Sequence, residues 1–352
     1  MGGPRARPWP LVAKSRKRAR LLGTRAGADR SHRVTTPDLI TPQDTAKAER
    51  VAPVLSVRQS AAGAVAMWIF VITPFIALLA AAPIAWGWGM TSLDLAMAVT
   101  AYLVSGFGVT IGFHRYLTHG SFKAHRFLRV ALAVAGCFAV QGAPSQWVAN
   151  HRRHHAYADR EGDPHSPWRY GTSAFAVLKG LFHAHIGWMF RRDLSNRSRF
   201  APDLLADRDI RVVDRLFGAL VAISLLTPAV IGGLVSQSWM GAVSGFFWAG
   251  LIRMALLHHV TWSVNSICHV IGERPFATKD KATNFWPLAI LSFGESWHNL
   301  HHADPTCARH GVQRGQIDTS ARLIWIFEKF GWVYDVRWPT RQRLERIAAG
   351  AE

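Results

Sequence analysis

Paired cysteines, a nucleotide-binding loop and a strong acidic component are all missing from this sequence of 352 residues. Its three cysteines, Cys137, Cys268 and Cys307, share no paired spacing, which excludes a disulfide framework and suggests a reducing, cytosolic side. The nearest thing to a dinucleotide loop, Gly106-Phe-Gly108-Val-Thr-Ile-Gly112, has the wrong spacing and lies inside an apolar run. Close helix packing through Gly108 and Gly112 is therefore the expected role, and no nicotinamide or flavin site is expected. Acidic residues are few, 22 Asp and Glu against 41 Lys and Arg, giving a formal charge of +19. Nucleic-acid binding is the reflex reading of such a balance, but position argues against it. Residues 1–60 hold 13 Lys and Arg against 4 Asp and Glu, without periodic apolar residues. Residues 1–63 are thus expected to be a basic, disordered segment that can touch anionic lipid heads. They lack the single apolar stretch of a cleaved signal peptide.

What is present is apolar and aromatic: 49% hydrophobic residues and 15 Trp. Four runs are long enough to cross a bilayer, at about 20 residues each: 64–86, 93–113, 216–235 and 240–261. They pair into two hairpins whose turns, near Gly87–Ser92 and Ser236–Trp239, contain no Lys or Arg. The long connections hold nearly all of the basic residues, so the positive-inside rule puts both termini and those connections in the cytosol. The fold class expected is an all-α integral membrane protein, four transmembrane helices in two hairpins under a helical cytosolic cap. The cap is formed by residues 114–215 and 262–335, the membrane domain spans 64–335, and 336–352 form a C-terminal tail. Phe127–Val140 is apolar but short and flanked by Arg126, so it reads as an interfacial or buried helix rather than a fifth span.

The chemistry lies in histidine. His151-x-x-His154-His155 places three imidazoles within about 100° of arc on a helix. The spacing returns at His298-x-x-His301-His302. With 17 His in the chain, chance predicts about 0.04 such triplets, so two of them, with His114 and His119 upstream, indicate a metal site. Every cluster falls in a cap segment, the first where the second span ends. So many imidazoles suit two ions with an open position each, and imidazole accepts iron, copper or nickel. A redox pair such as two irons can split dioxygen; zinc cannot. His258 and His259 are expected at the interface, and His125, His183, His185 and His310 in structural or surface roles. Arg253, inside the fourth span, either snorkels or serves function.

Gly112 to His119, Trp147 to His155, Asn265-Ser-Ile-Cys-His269 and Gly294-Glu-Ser-Trp-His-Asn-Leu-His-His302 resemble the histidine boxes of membrane fatty acyl desaturases, the stearoyl-CoA (Δ9) type above all. The resemblance runs from about residue 64 to 335. It implies a di-iron centre on His114, His119, His151, His154, His155, His269, His298, His301 and His302, with Asn265 reaching one iron through water. Asp163, His165 and Glu295 would orient ligands. Gln141, Trp147 and Thr261, with Trp262 beside them, would pinch an acyl tunnel at the bond to be oxidised. Tyr102 and Gly106 would close its end, Gly106 leaving room for the chain to run deep. Arg191 and Arg192 would meet the phosphates of an acyl-CoA carrier. The family often has Arg-Asp just before the second box where this chain has Ala149-Asn150, which bears on that carrier.

The implied reaction takes a long-chain saturated acyl thioester, dioxygen and two electrons to a cis-monounsaturated chain and water. No His-Pro-Gly-Gly motif marks a fused cytochrome b5, so the expected electron partners are a separate ferredoxin or cytochrome b5 with its NAD(P)H reductase. The lipid bilayer is the other partner, and a bacterial plasma membrane is the expected setting. A membrane di-iron hydroxylase or alkane monooxygenase would use similar ligands. A metal transporter would carry its ligands along a path through the spans, not in a cap.

Overall fold

The computed structural model describes residues 54–55, 58–87, 89–191 and 193–348. The expected basic segment lies largely outside these residues, as does Arg192.

Ten helices position the site: α1 (Ala61–Gly87), α2 (Ser92–Phe107), α3 (Arg126–Cys137), α4 (Pro144–Tyr157), α5 (Ala174–His185), α6 (Arg208–Ser236), α7 (Trp239–Gly245), α8 (Arg253–Ser266), α9 (His298–Ala303) and α10 (Thr319–Lys329). Four continuous helical stretches are long and apolar enough to cross a membrane: Ala61–Ala81, Ser92–Thr118, Arg208–Ser236 and Trp239–His269. The protein is an all-α membrane protein with a histidine-rich cap. The helices outrun the apolar runs in the sequence. The second continues to Thr118 and the fourth to His269, so rigid rods carry His114 and His269 out of the apolar zone and into the cap.

Each span has local reasons to start and stop where it does. Thr91 and Asp94 form a reciprocal capping box at the start of α2, the Thr91 hydroxyl accepting from the Asp94 amide at 3.1 Å. Asp207 caps α6, which ends where Gln237 adopts a left-handed φ of 49°. Ser238 then caps α7. The second hairpin packs through small residues: a Cβ on Gly232 would stand 2.3 Å from the Gly241 carbonyl oxygen. α1 packs against the fourth span, where Ala77 meets Trp248 and Ile252.

Both central spans contain a π-helical stretch, Gly108–Thr118 continuing α2 and Phe246–Ile252 joining α7 to α8. The wider turn closes i to i−5 bonds such as His119 N–H to the His114 carbonyl, at 3.2 Å. Gly108 and Gly112 are the packing face expected of them: a Cβ on Gly108 would meet the backbone of Ala135 and Gly136 at 2.2 Å. Their partner is α3, the short apolar segment, which buries Leu128, Leu132, Ala133, Gly136 and Cys137 and is no fifth span.

The cap is closed by a two-stranded antiparallel ribbon, β1 (Lys123–Ala124) with β2 (Val333–Tyr334), Lys123 opposite Tyr334. Among the described residues after 335, several pack onto the cap. Val336 and Trp338 pack on Phe122 and Ile324, the Arg337 amide donates to the Ser121 carbonyl, and Arg343 pairs with Asp304.

Candidate metal centre and acyl cavity

Four elements converge in the cap. The π-helical end of the second span delivers His114 and His119. Two turns of α4 deliver His151, His154 and His155. The tip of the fourth span delivers His269, and α9 delivers His298, His301 and His302. The nine imidazoles gather into two sets, His114, His119, His151, His155 and His301 in one and His154, His269, His298 and His302 in the other.

Carboxylates decide which ring nitrogen faces inward. His154 Nδ1 donates to Asp163 at 3.0 Å, His269 Nδ1 to Asp159 at 2.9 Å and His302 Nδ1 to Asp280 at 2.8 Å. In the other set His114 Nδ1 meets Glu295 at 2.5 Å. With the proton held on Nδ1, each Nε2 presents a bare lone pair. The Nε2 atoms of each set face one another: His114 to His301 at 3.1 Å, His301 to His155 at 2.9 Å, His298 to His269 at 3.2 Å and His302 to His298 at 3.0 Å. Nitrogens gathered this closely are placed to share a cation between them. Around an ion bound at about 2.1 Å, neighbouring imidazole nitrogens sit about 3.0 to 3.4 Å apart. The residues fit two metal ions.

Burial shapes the charge state. Removal from water, together with neighbouring imidazoles, holds His151, His155, His298, His301 and His302 well below the usual 6.5, which keeps them neutral and able to ligate. Burial would lower His154 too, but the Asp163 carboxylate against Nδ1 outweighs it and raises that group. Asp163 is pushed the other way, its desolvation outweighed by His154. Glu295 is likewise held low by His114 and Arg115 against its own burial.

Asp163 and Glu295, singled out by sequence, contact His154 and His114 directly. His165 stacks on His154, ring centroids 4.3 Å apart, and its amide donates to Asp163 at 3.0 Å. Asp159 and Asp280 escaped sequence reasoning. Asp159 carries only the weak signal of a carboxylate four residues beyond a box, and Asp280 none, since folding alone brings it to His302 from 22 residues away. Arg115 was also missed. It is fully buried, donates to Glu295 and Asp318, and its neighbour His310 is buried too, which fits the structural one of the two roles expected of it. Arg253 does not snorkel. It is buried and donates to the carbonyls of Ala249 and Phe138 and to Ser224. His258 donates to the Ala139 carbonyl, while His185 bonds to His259 and Ser266.

A narrow apolar cavity of about 50 Å³ leads from the imidazoles between the two central spans. His114, His151 and His298 line its metal end with Asn265 beside them, and Val109, Leu257 and Val260 line its walls. Trp147 and Thr261 line it as expected. Gln141 stands behind both, donating to Thr261 Oγ1 at 3.1 Å and accepting from Trp147 Nε1 at 3.3 Å. Trp262 packs instead between His258 and His185. Gly106 lines the far end, but the room it leaves is taken: an ideal Cβ there would lie 2.1 Å from the Phe293 ring. Tyr102 stands behind that ring, centroids 5.5 Å apart. Arg191 is exposed and paired with Asp193 at 3.0 Å. Ala149 is buried in the core, and Asn150 accepts from Gln146.

Comparison with known proteins supplies the deciding observation: the fatty acid desaturase family model matches residues 93–338. This chain belongs to the fatty acid desaturase family. A hex-5-enoyl-[acyl-carrier protein] acetylenase of Moorena producens (strain JHB) is 38% identical over 279 residues, covering 79% of this chain and 87% of that protein. Delta-9 acyl-lipid desaturase 1 of Arabidopsis thaliana is 36% identical over 258 residues, 72% of this chain and 78% of the relative. The acyl-CoA C20 Delta5-desaturase of Anemone leveillei is 38% identical over 244 residues, 68% and 72%. The desaturase is therefore an oxidoreductase of acyl-chain metabolism, and these relatives carry their acyl chains on three different carriers.

Proposed function

We propose that this desaturase uses dioxygen, two irons and two external electrons to put a cis double bond, at Δ9, into a saturated long-chain acyl-CoA. The observation that carries this reading is the apolar cavity opening onto two sets of convergent imidazole lone pairs. The nine histidines would hold the irons, with Asn265 reaching one through water. Bound there, the irons supply activation of dioxygen and removal of one hydrogen from each of two neighbouring carbons. With two electrons and two protons added, dioxygen leaves as two waters.

The protein's own part is positioning. Val109, Leu257 and Val260 exclude water along the chain, and the Gln141–Trp147–Thr261 set fixes the wall beside the imidazoles, holding the chain in one conformer. Asp159, Asp163, Asp280 and Glu295 hold protons on Nδ1 so that Nε2 stays free to ligate. Arg191 and Arg192 would meet the carrier's phosphates. The residues that close the site lie in the basic cap, which we place in the cytosol with both termini, where a ferredoxin or cytochrome b5 can deliver electrons. No nicotinamide or flavin is assigned to this chain.

The test is gas chromatography–mass spectrometry of fatty acids from a bacterial host expressing the protein, followed by turnover of the purified protein on acyl-CoA, acyl-carrier protein and acyl lipid. A new cis-Δ9 monoene made from acyl-CoA supports the reading. A hydroxylated product overturns the reaction assigned, and turnover confined to acyl-carrier protein or lipid overturns the carrier.

A further inference from the structure

Phe293 has an unusual backbone and an unusual neighbour. Its φ is 57°, in the left-handed region that a bulky residue rarely adopts. Strain of this kind persists only where surrounding contacts over-determine it. Here they do. The Phe293 amide donates to the Ile290 carbonyl, the Gly294 amide to the Ala289 carbonyl, and the Phe293 carbonyl accepts from the Ser320 amide. The Tyr102 hydroxyl ties the same loop to α2 by donating to the Leu291 carbonyl at 2.8 Å. Held this way, the Phe293 ring is buried and lies over Gly106, where a single added Cβ would have no space. Phe107 closes in from the side, ring centroids 4.6 Å apart.

Gly106 is eight residues before His114 on one helix, which puts it about two turns from the metal end. Val109, Thr110 and His114 line the intervening wall. The ring therefore stands across the far end of the cavity, in front of Tyr102.

We propose that Phe293 is the stop against which the methyl end of the acyl chain rests, and so the residue that sets acyl-chain length in this desaturase. The inference rests on the acyl-desaturase reading of the cavity. Gly106 serves it by making room for the ring, not for substrate. Glu295 lies two residues beyond, so stop and ligand carboxylate hang from one short loop.

The test removes the ring without opposing the backbone, because glycine accepts a positive φ. Iron-loaded wild type, Phe293→Gly and Phe293→Leu are given a ladder of even-numbered saturated acyl chains in competition, and double-bond positions are mapped. Phe293→Gly should favour the chain two carbons longer than the wild-type optimum by about tenfold relative to wild type, the gain from burying two further methylenes. Phe293→Leu should shift the same way by less, and the double bond should keep its distance from the carboxyl end. Equilibrium binding of the same radiolabelled chains, without reductant, reads the length limit independently of the chemistry. Failure of desaturation in wild type would count against the function, whereas an unchanged length profile in binding would overturn the stop.

Discussion

Replacing Asp163 by Asn changes almost nothing in shape and should nonetheless release metal. Both carboxylate oxygens are in use, and every partner is a donor: His154 Nδ1 at 3.0 and 3.1 Å, the Asp159 amide at 2.9 Å and the His165 amide at 3.0 Å. Asparagine keeps one acceptor and turns the other oxygen into an N–H2 donor. If its remaining oxygen stays on the His165 amide, its nitrogen faces the Asp159 N–H and His154. The new N–H2, 3.1 Å from Nδ1, competes with the retained oxygen at 3.0 Å and draws the imidazole toward the tautomer that accepts at Nδ1 and carries its proton on Nε2. That nitrogen points at His302 Nε2, 3.4 Å away, within the four-histidine set. A protonated Nε2 cannot ligate. Loss of such an orienting carboxylate weakens metal binding by about 10- to 100-fold, about 1.4 to 2.8 kcal/mol. The assay is iron retained per chain, by mass spectrometry, as a competing chelator is raised. Asp280→Asn should behave alike, and Asp203→Asn, whose side chain pairs with Arg152 at the surface and contacts none of the nine histidines, should match wild type. Asp163→Asn protein that stays folded and gives iron up at the wild-type chelator concentration would refute the tautomer argument.

Three further outcomes are expected. Arg115→Met leaves Glu295 and Asp318 buried without their cation, and should destabilise the fold by about 3 to 5 kcal/mol, read as a lowered unfolding midpoint in detergent; an unchanged midpoint would contradict the network. For metal-free protein, the unfolded chain takes up protons near pH 6.5 that the depressed imidazoles of the folded cap refuse. Stability should therefore be complete above pH 6.5 and fall as pH drops below it, and a thermal midpoint flat from pH 8 to 5 would count against that. Finally, NADPH alone should not drive turnover. Adding a reductase and an acidic carrier should restore it, at a rate that falls with salt when the carrier is limiting. Turnover with NADPH and no added protein would reveal a redox site in this chain.

Sequence by itself determined the features that repeat or run. Apolar runs the thickness of a bilayer must be satisfied as helices, so four spans were legible from composition alone. The i, i+3, i+4 histidines were legible because helix geometry puts them on one face wherever the helix lies. His269, without a companion of its own, became visible only through the resemblance of Asn265 to His269 to a known box. Tertiary structure alone decided what depends on separation in space. Asp159 and Asp280 became partners of His269 and His302 because the chain folds back on itself, and neither sits at a spacing that announces it. Arg253 looked like a charge able to reach the interface, yet packing surrounds it with carbonyls before it gets there. Gly106 looked like open room for substrate. Whether a missing side chain leaves space depends on what the rest of the chain puts there, and here a loop nearly two hundred residues later supplies Phe293.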